Sequence, residues 1–174
     1  MNKNGDMFIQ ADEKHLEAVM ELLMIKGCKE AQTPGCSGGT TSQRTDKLNE
    51  MDARKFRTAT GIMAPDRPDC QQAIRNLTKS LKEPTGVDMV NLARVARYLK
   101  GTKDHGVRLR SGEGDIKSLE VYSDTDWASC KKTRKSTACG VFMVNGNLLS
   151  SYSRSLSMIC RSSVLRRTLL QADL

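Results

Sequence analysis

Residues 119–155 read LEVYSDTDWASCKKTRKSTACGVFMVNGNLLSSYSRS, and this run decides the fold. Apolar and polar residues recur with a period near two in 118–123, 138–145 and 147–153, the spacing of strands that bury one face. Asn145-Gly146 separates the last two segments, and both central positions of a two-residue hairpin turn need positive φ, which Asn and Gly tolerate best. A further strand is expected over 105–110. The chain from about residue 105 onward therefore predicts an antiparallel meander.

The same run holds the residues most suited to chemistry. An apolar strand ends at Asp124 and Asp126, two acids that share a face if the strand persists that far. The basic residues Lys131, Lys132, Arg134 and Lys135 follow at once. Magnesium prefers oxygen ligands and takes one or two carboxylates together with substrate phosphates, so a strand-end acid beside cations suits a metal held against a nucleic-acid backbone. On spacing alone a D-x-D at a strand end is more often a solvated turn, and a solvated loop explains the cations as well as phosphate contact does. Trp127 is expected to pack beside the first strand and cover the sheet edge.

Upstream the period lengthens to 3.6. Leu16, Val19, Met20 and Leu23 predict a helix over 12–26 with Asp12 as its cap and Gly27 as its stop. Residues 33–50 are rich in Gly, Ser and Thr and predict a flexible linker. A second helix is expected over 51–60, and a third from Pro68 to Pro84 with Cys70, Ala73, Ile74, Leu77 and Leu81 on one stripe. In a fourth, Leu92, Val95, Ala96 and Leu99 share a face and Gly101 stands where a left-handed C-terminal residue is expected. Arg94, Arg97 and Lys100 lie on its other faces and read as solvent-exposed. The predicted class is α+β, helices first and strands after.

Composition bounds the function. The 174 residues are 38% apolar and 28% charged, enough for a core, and a net charge of +8 favours polyanionic partners. Only 4% are aromatic, which argues against an extended base-stacking surface. No apolar run reaches membrane-spanning length, and the charged start does not fit a secretory signal. The six cysteines form no C-x-x-C pair and His15 and His105 stand apart, so no zinc site is expected. Reduced thiols packed as small core residues in a cytosolic or nuclear compartment are the simplest reading.

From Leu119 to Ser155 the sequence resembles the opening of the ribonuclease H domain in the Pol polyprotein of copia-type LTR retrotransposons. The shared features are S-D-x-D-W-A at a strand end, then R-K-S-T, a hydrophobic strand with an early Gly, and a strand with an aromatic, Ser and a cation. Co-linear upstream features resemble the segment joining reverse transcriptase to ribonuclease H: Phe8-Ile9-Gln10, Thr33-Pro34-Gly35, Lys55-Phe56-Arg57, Gly61, Arg67-Pro68-Asp69, Pro84-Thr85, and Arg97 to Thr102. The resemblance implies five regions: the helical end of a reverse transcriptase (1–32), a linker (33–50), a helical connection (51–104), a partial ribonuclease H-like domain (105–163) and an aberrant tail (164–174). It further implies Mg2+ as cofactor, an RNA–DNA hybrid and the rest of the polyprotein as partners, and no small-molecule substrate.

By this resemblance Asp124 is the first metal-binding acid of a two-metal nuclease. The second belongs to a helix opening S-S-x-E-A-E, whereas this chain continues Ser162-Ser163-Val164-Leu165-Arg166-Arg167. Arginine offers no lone pair to a metal and repels it, and one carboxylate cannot hold two ions. The further family acids, and the polymerase aspartates, fall outside the sequence. The expectation is a catalytically inactive Pol fragment. The alternatives are an active nuclease completed by acids of another chain, a basic nucleic-acid-binding remnant, or a fragment too incomplete to fold stably. A shifted reading frame in a decayed gene would account for the tail: Leu165 to Leu170 can be written with codons TTG AGG CGG ACT TTA CTG, and the frame from the third base of that run reads Glu-Ala-Asp-Phe-Thr. Between Gly61 and Arg67 the family has a longer apolar stretch, and the shortening is expected to shift the stripe of the second helix.

Overall fold

A computed structural model describes residues 5–35, 45–63, 67–112, 116–128, 133–156 and 170–173. It is an α+β chain of two compact units, a helical one over 10–106 and a second formed by 1–9 with 107–174.

In the helical unit α1 (Glu13–Leu22) starts at Asp12, whose carboxylate accepts from the Lys14 amide at 2.9 Å, as the sequence predicts. It ends earlier than Gly27. Met24 takes the left-handed conformation at φ 55, and the amides of Leu23, Met24 and Ile25 close the last turn onto Val19, Glu21 and Met20. α2 (Glu50–Ile62) begins at Asn49, whose Oδ1 accepts from the Asp52 amide at 2.8 Å. The shortened stretch after Gly61 does not break its stripe, because Ala53, Phe56, Ala59 and Met63 are all buried.

A single 3-10 turn over Pro68–Cys70 leads into α3 (Gln71–Thr78), which stops well before Pro84 because the chain turns at 79–83, with Ser80 bonding back to Leu77. α4 (Gly86–Gly101) opens on Thr85, whose amide and hydroxyl both donate to Asp88 at 2.8 and 2.6 Å. The four helices hide their stripes in one core of Val19, Phe56, Ala59, Met63, Leu77, Leu92, Val95 and Ala96.

Two expectations for α4 are corrected. Gly101 is helical, with no left-handed φ, and Thr102 caps the helix. What Gly101 provides is room: a Cβ there would stand 3.1 Å from both Cβ and Oε2 of Glu30. The cations of α4 are not idle surface charges either. Arg94 donates to the carbonyl and hydroxyl of Thr33, Arg97 to the carbonyl of Lys29, and Lys100 to the carbonyls of Lys26 and Cys28. Spaced three apart on one face, they strap the 26–33 segment along the helix.

The second unit is built on strands. β1 (Met7–Gln10), for which the sequence reading offers no strand, pairs with β2 (Gly106–Leu109). Beside it Asp6, 8% exposed, accepts from the Ser111 amide at 3.0 Å and from Arg108 Nε at 3.0 Å. Those bonds hold its carboxyl below the usual carboxylate value, the one from Arg108 most of all.

β3 (Ser118–Asp126), β4 (Thr137–Val144) and β5 (Asn147–Ser155) form the expected antiparallel meander, and β6 (Leu170–Asp173) adds antiparallel to the free side of β3. Asn145 and Gly146 hold φ 48 and 72, the pair a tight hairpin requires. The Asn145 side chain also accepts from the amides of Lys117 and Ser118. At Gly140 the Tyr152 ring lies where a side chain would stand: a Cβ would fall 2.8 Å from its Cζ.

Candidate nucleic-acid interface

The pleat carries β3 as far as Asp126, so Glu120, Tyr122, Asp124 and Asp126 share one face, with Tyr122, Asp124 and Asp126 exposed. Opposite them on β4 stand Met143, Val141, Cys139 and Thr137 in that order. The Tyr122 hydroxyl donates to Glu120 at 2.6 Å, and that bond raises the phenol's pKa. Cys139 Sγ lies 3.6 Å from the Asp124 carbonyl.

The neighbour across from Asp124 is thus a thiol, a soft ligand poorly matched to magnesium. Among the described residues no three of His, Cys, Asp and Glu come together as a metal site. Among the described residues this donor set does not fit a two-magnesium centre.

The β3–β4 connection is tied down at its base. Ser136, fully buried, accepts from the Ala128 amide at 3.1 Å through its hydroxyl and from the Leu156 amide at 2.8 Å through its carbonyl. Ala128 and Arg134 on either side of the turn both take positive φ, 49 and 56. That conformation costs a non-glycine residue roughly 1 kcal/mol and is retained where the surrounding structure imposes it.

Arg134 and Lys135 are exposed; Lys131 and Lys132 lie outside the described residues. Trp127, expected to pack beside the first strand, keeps about half of its surface in solvent (47% exposed), and the Arg134 guanidinium carbon lies 5.7 Å from its ring centre. On β5 Arg154 stands similarly over Tyr152 at 5.1 Å. Spacing alone does not reveal these pairs, because Trp127 and Arg134 meet only once the turn is closed.

Two of the three described thiols depart from expectation, and Cys36, Cys130 and Cys160 lie outside the described residues. Cys28 and Cys139 are exposed and free, whereas Cys70 is fully buried, its pKa pushed up to about 12 chiefly by desolvation. Brief alkylation of the native protein at pH 8 should label Cys28 and Cys139 and spare Cys70 until denaturant is added. Peptide mapping that finds Cys70 labelled as fast as Cys28 would contradict the packing of the helical unit.

An α+β chain with an acid-bearing antiparallel meander and a helical segment carrying Arg67-Pro68-Asp69 is similar to retrovirus-related Pol polyproteins from transposons, in keeping with a copia-type Pol fragment. It is similar to an uncharacterized mitochondrial protein of Arabidopsis thaliana, 29% identical over 151 residues that make up 86% of this chain and 62% of that protein. The retrovirus-related Pol polyprotein from transposon RE1 of the same plant is 35% identical over 101 residues, 58% of this chain but 7% of the polyprotein. A protein named secreted RxLR effector protein 161, from Plasmopara viticola, is 33% identical over 59% of this chain and 70% of its own length. The chain therefore spans less than two thirds of the first two of these relatives. No protein-family model matches it. No solved structure matches it. Among the described residues no helix is long and apolar enough to cross a membrane.

Proposed function

We propose that this chain is a non-cleaving piece of the reverse transcriptase–ribonuclease H region of Pol, and that its remaining activity is sequence-independent attachment to nucleic-acid backbone. The donor set around Asp124 carries the first half of this reading. A carboxylate opposite a thiol, with Arg167 in the sequence position where the resemblance requires an acid, offers no cage for two divalent ions. The second half is supported by the net charge of +8 and by the exposed cations Arg134 and Lys135 beside the strand end. Such cations bind phosphate without reading bases, so affinity should depend on salt far more than on sequence.

A labelled RNA–DNA hybrid tests both halves. With the purified chain and Mg2+, no cleavage above the protein-free control is expected. Binding should weaken roughly 10- to 150-fold between about 50 and 200 mM salt, the slope of two to four phosphate contacts. Magnesium-dependent cleavage that disappears in Asp124→Asn would overturn the first half. Absence of binding at low salt would overturn the second.

A further inference from the structure

We infer that Trp127, at the end of β3, is a stacking platform for an unpaired nucleobase, with Arg134 and Lys135 before β4 as the clamp on the adjoining phosphates. This rests on the nucleic-acid-binding reading above and deepens it, because it names single-stranded nucleic acid as the preferred ligand.

Three observations converge on the turn. An indole left 47% exposed at the end of a strand is poorly placed for a core residue and well placed for a ligand with a flat apolar face. Its partner cation stands 5.7 Å from the ring centre, near the outer limit of a cation–π contact, so the guanidinium accompanies the ring without sealing it. Arg134 holds that position at φ 56, a conformation disfavoured for arginine, on a turn whose base is latched by buried Ser136. An aromatic face and a cation thus stand side by side, the cation at a conformational cost.

Base–aromatic stacking is tolerant of sequence because every base has a π-face, and it requires a base free of its duplex partner. A paired hybrid can therefore use Arg134 and Lys135 but not Trp127. Single strands use all three.

The chain has one tryptophan, so its emission reports this site directly. Titrating the intact chain at low salt with a short single-stranded oligo-dT should quench that emission in step with binding. A duplex of equal length should bind and leave the emission nearly unchanged. Trp127→Ala should weaken oligo-dT binding about 5- to 10-fold and alter duplex binding less than about twofold. Arg134→Gly, whose new residue suits the positive φ, should keep the turn, lower both affinities and reduce the salt slope by about one. Binding of oligo-dT with unchanged emission would overturn the stacking site while leaving backbone binding intact. Failure of both nucleic acids to bind would sink the broader reading as well.

Discussion

Phe56→Ala is expected to lower the unfolding free energy by roughly 3–5 kcal/mol, followed by helical circular dichroism in urea. The ring is fully buried within a cluster drawn from all four helices: Val19 on α1, Ala59 on α2, Leu77 on α3, and Leu92 and Val95 on α4. Removing it leaves a cavity that no single helix can close without losing its own stripe. A domain of this size has a total stability of about 5–15 kcal/mol, so the variant should approach unfolding at room temperature. A loss below about 1 kcal/mol would mean that the four helices do not share this core.

The second large effect is expected at Asp69. Arg67, 4% exposed, gives Nε and Nη2 to the two oxygens of Asp69 at 2.9 and 2.7 Å, and its guanidinium also donates to the carbonyl and hydroxyl of Thr102 at 2.8 and 2.9 Å. The Tyr98 hydroxyl donates to Asp69 at 2.8 Å. One buried fork thus joins the 3-10 turn before α3 to the end of α4. In Asp69→Ala the guanidinium keeps its two bonds to Thr102 but loses its counter-charge. The expected loss is about 2–3 kcal/mol, less than for a fully buried pair because the Asp69 side chain is 38% exposed.

Acid should produce the same loss in the parent protein. Burial alone would raise the Asp69 pKa, but the bonds from Arg67 and Tyr98 outweigh it and leave it below 3.8. A carboxylate depressed by folding contributes its full stability above the unfolded value and surrenders it as pH falls through the lower folded one. Stability of the parent should therefore drop below about pH 4 relative to Asp69→Asn. Parallel pH profiles for the two proteins would refute the role.

The periodicities that made the fold legible are local ones. Each helix stripe and the alternation of β3 to β5 lie within a dozen or so residues, and Asn145-Gly146 states its turn outright. The hidden features depend on partners distant in sequence. β1 has no alternation of its own and exists because β2 completes it. Gly101 invites a C-cap reading, yet the reason for a glycine there is Glu30, seventy-one positions earlier. The cations of α4 look solvated because the carbonyls they bind belong to a segment with no pattern. At the candidate interface Asp124 is plain from its strand end. The exposure of Trp127 is not, since nothing in an apolar side chain's neighbours tells whether a turn will carry it outward.

The pairing of β1 with β2 has a consequence for how the chain is made. Met7–Gln10 leaves the ribosome roughly a hundred residues before Gly106–Leu109, which at usual synthesis rates is a wait of about 5–20 s. Helices form in microseconds, so the intervening unit can fold within that wait and draw the two strand sequences towards one another. Until then the nascent segment Met-Phe-Ile-Gln is an unpaired, largely apolar strand in need of chaperone cover.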